Sequence, residues 1–422
     1  MNAIETKRFF GALFDRAVAA ADPELTIRRH LPEKPKGRTI VIGAGKGSAQ
    51  MAQAFERAWE GPLSGLVVTR YGYGAPCERI EVIEAAHPVP DEAGLAGAKR
   101  LFGTIAGLGS DDLVVALICG GGSALLPSPA GGLTLADEIA VNRALLASGA
   151  PIAAMNAVRK HVSAIKGGRL AAAAHPARVV SLVVSDIPGD QPSLVSSGPT
   201  VPDASTRADA LAVVETYKMA LPEAVMRHLN SPAADAPTPD DPRFARNEVH
   251  VIASAAQSLE AAAAEARRHG VEAAILSDAI EGEARDVGMV HAAIAREVAM
   301  RDRPFRKPVV ILSGGETTVT LRGAGGRGGR NGEFLLSLAI GIDGVDGVAA
   351  FSADTDGIDG SEQNAGAFAD WTSVARLRAR GIDPKALLAG NDSWGGFDAL
   401  GDLFQPGPTG TNVNDLRAIL VR

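Results

Sequence analysis

Short β-branched apolar runs recur along this chain, and most of them lead through a glycine-bearing turn into a segment of helical period. The first is Thr39-Ile40-Val41-Ile42, which runs into "GAGKGSAQMA", Gly43–Ala52. Leu66–Thr69, Ile80–Ile83, Leu113–Cys119 and Val179–Ser185 repeat the theme, with helical stretches at Lys46–Glu60, Glu92–Ile105 and Leu135–Ser148 between them. Strands buried on both faces read as continuous apolar runs. Strand–helix alternation places helices on both faces of a parallel sheet. The pattern predicts an α/β fold whose first domain is a Rossmann-like, doubly wound parallel sheet.

A break follows at Ser231–Arg246, "SPAADAPTPDDPRFAR", whose prolines suit neither a helix interior nor a central strand. It sets a domain boundary, 1–240 and 241–422. Alternation restarts at Val249–Ile252 and continues through Ala273–Leu276, Val309–Leu312, Thr317–Leu321 and Val348–Phe351, so a second α/β domain is expected. The last strand, Ala418–Val421, suits either sheet. Phe10, Leu13, Phe14, Ala17 and Val18 recur at helical spacing and predict an amphipathic helix near the start.

Composition narrows the partners. The formal charge is -7 with no basic block, so neither nucleic acid nor an anionic membrane surface is an expected partner. Two cysteines, Cys77 and Cys119, make no disulfide framework and have no metal-ligand spacing. The first residues carry no signal-peptide pattern, and no apolar run reaches membrane length. A soluble cytoplasmic protein is the expectation.

The loops after the strands carry the chemistry, since ligands in such folds sit beyond the carboxyl ends of strands. Gly43 and Gly45 begin a dinucleotide fingerprint, but Ser48 replaces its third glycine and Lys46 sits inside the loop. The Walker pattern is absent. "CGGGSALLPSPAGG" offers Gly121, Gly122 and Ser123 for close backbone approach. "SGGETTVTL", with Glu316, echoes it in the second half. "SDIPGDQPSLVSSGPTVPD" fixes Asp186 and Asp190 in a long polar loop and adds donors at Ser197 and Gly198. "GAGGRGGRNGEF" (Gly323–Phe334) carries Arg327 and Arg330 among six glycines. That composition predicts a mobile cationic loop around a polyphosphate, with Asn331 capping the next helix. "SADTDGIDG" places Asp354, Asp356 and Asp359 at a strand end, where few carboxylates hold Mg²⁺ together with phosphate oxygens. "HPVPD" (His87–Asp91) lines a pocket or is a plain loop. "NAVRKHVSAIKGGRLA" (Asn156–Ala171) reads as a basic helix with a solvated face, and "GPTGTNVND" packs Thr411 and Asn412 into a loop of polar donors. No G-x-S-x-G elbow, H-E-x-x-H or kinase H-R-D set occurs. Glycine loops, fixed aspartates, a loop lysine and loop arginines are parts of phosphoryl transfer.

Jointly and in order, these stretches resemble the class II glycerate kinases, the glycerate 2-kinase family whose C-terminal region is the MOFRL domain. The resemblance spans nearly the whole chain. It implies ATP-dependent, Mg²⁺-assisted phosphorylation of D-glycerate, usually to 2-phosphoglycerate, in a cleft between two α/β domains. It implies Lys46 and Arg330 as the catalytic pair. On this reading Asp190 or Asp186 takes the hydroxyl proton, and Asp186, Asp354 and Asp356 hold the metal. Gly45, Ser48, Gly121, Gly122 and Ser123 contact substrate or phosphate, as do Ser197, Gly198, Glu316, Arg327, Thr411 and Asn412. A homodimer is left open. The rival enzyme is a hydroxypyruvate reductase using NAD(P)H, a label also carried in this family. For it, Arg70 at the end of the second strand would meet a 2′-phosphate. A third reading is a non-catalytic sensor that binds glycerate or ATP and releases both unchanged.

Overall fold

The computed structural model describes residues 1–321 and 326–422, and its strands build two six-stranded sheets among the described residues. Gly323, Ala324 and Gly325 of the Arg/Gly loop thus lie outside the described residues. The first sheet contains β1 (Thr39–Ala44), β2 (Ser64–Arg70), β3 (Ile80–Ala85), β4 (Leu113–Ile118), β5 (Arg178–Ser185) and β6 (Glu248–Ser254). Their order is β3-β2-β1-β4-β5-β6, and β1 to β5 run parallel. This is the doubly wound order expected from the alternation. β1 and β4 are buried at every position, which is why they read as unbroken apolar runs. The order reverses between these two strands, so the crevice of such a sheet opens at their carboxyl ends.

Register brings particular residues to that edge. Arg70 pairs with Ala85, Ala44 pairs with both Val68 and Ile118, and the Lys46 amide donates to Gly120 O at 2.8 Å. The Thr69 hydroxyl donates to Lys46 O at 3.1 Å. Lys46, Arg70 and Gly120 therefore leave three adjacent strands at one level.

The second sheet is mixed. It contains β7 (Glu272–Ser277), β9 (Val309–Ser313), β11 (Val348–Asp354), β12 (Gly366–Asp370), β13 (Leu403–Phe404) and β14 (Asp415–Val421), in the order β13-β12-β11-β14-β9-β7. Only β7 and β9 are parallel neighbours; the other pairings are antiparallel. Two short strands, β8 (Gly282–Glu283) and β10 (Thr317–Thr318), pair separately, so the strand expected over Thr317–Leu321 shrinks to two residues. β14 is central to the second sheet.

The chain divides into two compact units, residues 23–252 and residues 1–22 together with 253–422. This departs from the boundary expected at 240, for two physical reasons. The proline-rich segment packs on the first unit: Arg169 donates to Ala234 O and Asp235 O, and Phe244 lies against the first core. Val249–Ile252 then supplies β6 to the first sheet rather than opening the second. The early amphipathic helix, Ala3–Ala20, covers the second sheet instead. Phe10 stacks on Phe351 at 5.8 Å, and Phe14 meets Phe404 edge-on at 4.9 Å.

The expected basic helix is also corrected. Ile152–His161 and Arg169–Ala174 are separate helices; Lys160 and Lys166 are buried, and Arg159 and Arg169 are half-buried. Lys166 is buried, paired with Glu138 at 2.7 Å and donating to Leu126 O. Lys160 is buried and paired with Asp203. A buried cation needs a partner, and sequence spacing within one helix does not reveal a partner elsewhere in the chain.

Candidate active site

In the first unit the turn after β1 is shaped by contact with the end of β4. Gly45 has φ 138°, and any Cβ there would overlap Cys119. The Gly47 amide donates to Cys119 Sγ at 3.2 Å, and burial pushes that thiol up to about 12, so it stays protonated. Ser48 is fully buried, and its hydroxyl lies 2.9 Å from both Gly45 O and Val68 O. Ser48 thus closes the turn.

Lys46 is different. Its ammonium makes no ion pair or hydrogen bond among the described residues, an unusual state for a half-buried cation. A Cβ on Gly121 would stand 3.0 Å from Lys46 Cγ and 3.2 Å from His87 Nε2, so the lysine stem and the imidazole flank the same backbone. His87 is pushed down to about 4, first by burial, then by the charges of Lys46 and Arg70. It is neutral at pH 7. Asp186 lies against Gly120, where an added side chain would collide with its carboxylate.

The neighbouring loop is held by hydroxyls. Ser196 Oγ donates to Cys119 O at 2.6 Å and accepts the Gly122 amide at 3.0 Å. Ser197 Oγ is 2.7 Å from Ser123 Oγ and donates to Asn156 Oδ1, which also accepts from Arg159. Ser196 and Ser197 both adopt positive φ, at roughly 1–3 kcal/mol each. Gly122 and Ser197 are therefore committed to the scaffold, not free for a ligand, while Gly198 carries its turn at φ 59°. Asp190, also at positive φ, is half-buried, and its carboxylate accepts no hydrogen bond among the described residues.

In the second unit Arg330 opens the helix Arg330–Gly341. Its guanidinium donates to Asp415 at 2.9 Å, Glu316 at 3.0 Å and Asp354 at 2.7 Å. Burial alone would lower its affinity for the proton, but the three carboxylates outweigh burial and raise it. Three of its five N–H groups are used, leaving two. Asp415 also accepts from Asn331 Nδ2 at 2.7 Å and from Arg417 at 2.5 Å. Arg417 is buried over the Phe334 ring and donates to Gly314 O. Sequence reading names neither Asp415 nor Arg417 as a site residue. The available signal was an acid and a base two apart in an otherwise apolar strand.

Asp359 caps this helix, accepting from the Asn331 and Gly332 amides at 3.0 and 2.8 Å, so Asn331 is not the cap. Burial raises Asp359 to about 6 in spite of those bonds. Asp354 is likewise raised well above the usual carboxylate range, by burial first, against the pull of Arg330. Its second oxygen accepts the Asp356 amide, and Asp356 in turn accepts Ile358 N in a turn. Mg²⁺ wants ionised, available oxygens. Here the acids are engaged by Arg330 and by amides, and no group of three or more metal-ligating side chains exists among the described residues. The donor set does not fit a protein-built magnesium cage.

The described part of the Arg/Gly loop is anchored. Arg327 forks onto Glu362 at 2.7 and 3.0 Å and stacks 3.5 Å above Trp394. Gly329 has no room for a Cβ beside Asp359. Close approach, not mobility, accounts for that glycine. Thr411 donates to Ala21 O and Asn412 accepts the Asn414 amide, so both serve local loop structure.

A domain of unknown function, DUF4147, matches residues 9–230, and the MOFRL family matches residues 309–415. A protein of Agrobacterium vitis, provisionally named a hydroxypyruvate reductase, is 52% identical over 422 residues, covering 100% of this chain and 95% of that one. The D-glycerate 2-kinase of Thermotoga maritima is 39% identical over 404 residues, covering 95% of each. The crystal structure of glycerate kinase from Thermotoga maritima superposes with a TM-score of 0.90 at 38% identity, over 99% of this chain and 100% of that one. The chain belongs to the glycerate kinase family that carries the MOFRL domain.

Proposed function

We propose that this protein transfers the γ-phosphoryl group of ATP to the 2-hydroxyl of D-glycerate. The observation that carries the reading is Lys46: a cation with no ion-pair partner among the described residues, on a tight glycine turn at the switch point of a doubly wound sheet. The kinase names of the relatives support the substrate. In the proposed step the substrate hydroxyl oxygen bonds to phosphorus, its proton passes to Asp190, and the bond to the ADP oxygen breaks. Lys46 neutralises charge on the transferred group, which is where most of the catalysis in phosphoryl transfer lies. The two uncommitted N–H groups of Arg330 suit a phosphate oxygen. Magnesium enters as Mg·ATP, part of the substrate.

A second reading, reduction of hydroxypyruvate, is favoured by the names of two relatives. Against it stand the buried hydroxyl of Ser48 in place of the third fingerprint glycine and the Cys119 contact on Gly45. The test is ³¹P NMR of the protein with Mg·ATP and D-glycerate. A new phosphomonoester doublet is expected for the 2-phosphate. A triplet would move the phosphate to the 3-hydroxyl, and intact ATP would end the kinase reading. NADPH oxidation with hydroxypyruvate would then replace it.

A further inference from the structure

We propose that Arg70 reads the carboxylate of the acceptor acid, a role that rests on the kinase reading above. Arg70 is the last residue of β2, paired with Ala85 of β3, one strand from the turn that bears Lys46. His87 follows Ala85 by two residues. Three basic side chains thus converge at one edge of one sheet. Arg70 has no ion pair among the described residues, although this chain has more acidic than basic residues. Its guanidinium stacks 4.3 Å over the Tyr73 ring, and the Tyr73 amide donates to Arg70 O at 3.1 Å, closing the turn beneath it. Stacking fixes the plane of the fork and leaves its N–H edge open. A planar fork matches a planar carboxylate through two parallel hydrogen bonds, whereas a lysine meets an anion as a point charge. The edge therefore offers two unlike cations, one suited to the transferred phosphoryl group and one to an acid.

His87 supports the assignment. Its ring feels the charge of both Lys46 and Arg70, so all three share one microenvironment. A neutral imidazole near both cations adds no third charge to be screened. The ligand class this edge selects is a small hydroxy acid, rather than a neutral polyol.

The experiment uses the full chain, with D-glycerate and its methyl ester, in which the carboxylate is blocked. Wild type, Arg70→Met and Arg70→Lys are compared by ADP release. Arg70→Met should lose about 100-fold in kcat/KM for D-glycerate, mainly through KM, while KM for ATP stays within about two-fold. Its activity on the ester should match that of wild type, and Arg70→Lys should recover part of the loss. A purely structural role would depress both substrates alike, and that result, or unchanged kinetics on D-glycerate, overturns the proposal alone. A wild-type protein inert towards both substrates overturns the kinase reading and the proposal with it.

Discussion

Asp415→Asn gives the sharpest test of how the second unit is held together. The Asp415 carboxylate is fully buried and accepts from Arg330, Asn331 and Arg417. Asparagine keeps one acceptor oxygen but turns an amide N–H₂ towards donors that need an acceptor. Two charge-assisted bonds are weakened, each worth about 1.5–3 kcal/mol. Breaking a buried ion pair by removing one partner costs about 3–5 kcal/mol. The expected loss is therefore about 3–5 kcal/mol, and a fall in Tm of roughly 10–15 °C for a unit of this size. Trp371 and Trp394 lie in the second unit and Trp59 in the first. A Trp59→Phe background then makes tryptophan fluorescence report the second unit alone in urea titrations. The control is Glu316→Gln, which removes the exposed partner of the same arginine and should cost less than about 1 kcal/mol. If Asp415→Asn costs no more than Glu316→Gln, the buried network is not what stabilises this unit.

Other expectations follow from the same geometry. Lys46→Met should leave stability within about 0.5 kcal/mol, since the ammonium has no partner to lose among the described residues, yet lower kcat at least about 100-fold; near-normal turnover would remove Lys46 from the chemistry. The His87 ring should titrate near 4 in an NMR pH series, below its ordinary 6.5. The unfolded chain then binds the extra proton between those values, so this residue contributes stability that is complete above 6.5 and lost as pH falls towards 4. A midpoint above 6 would contradict the burial and charge argument. Asp359 runs the opposite way: its carboxyl is raised to about 6, so the fold gains from its protonation and this contribution is lost as pH rises from about 4 through 6. Asp359→Asn should remove that slope from the stability profile, and an unchanged slope would exclude Asp359 as its source.

The parts of the site legible in the sequence are those whose cause is local. Lys46 stands out because it sits in a glycine turn after a β-branched run, and Arg330 because glycines surround it. Ser48, Ser197 and Gly122 make hydrogen bonds that close turns, and in sequence such hydroxyls and amides look like those that bind phosphate. Asp354 and Asp356 look like metal ligands for the same reason: a carboxylate at a strand end is read without its partner, here Arg330 for Asp354 and the Ile358 amide for Asp356.

Strands β1 to β5 and their parallel character were legible in the sequence, because strands buried on both faces are continuous apolar runs and most of their crossovers are helices; β6 was not, since Val249–Ile252 reads equally well as the start of a second sheet. Helix Glu92–Ile105 was equally determined, with Asp91 capping it through the Gly94 amide at 2.9 Å. Tertiary structure alone decided the rest. The helix at the start of the chain covers the second sheet because the phenylalanines of β11 and β12 need an apolar cover, and nothing in residues 3–20 says which sheet that is. Arg330 is bound by an acid 85 residues away, and Arg417 is buried beside it. Such pairs leave no period in the sequence, because the energy that selects them comes from desolvated charges meeting only after the strands have assembled.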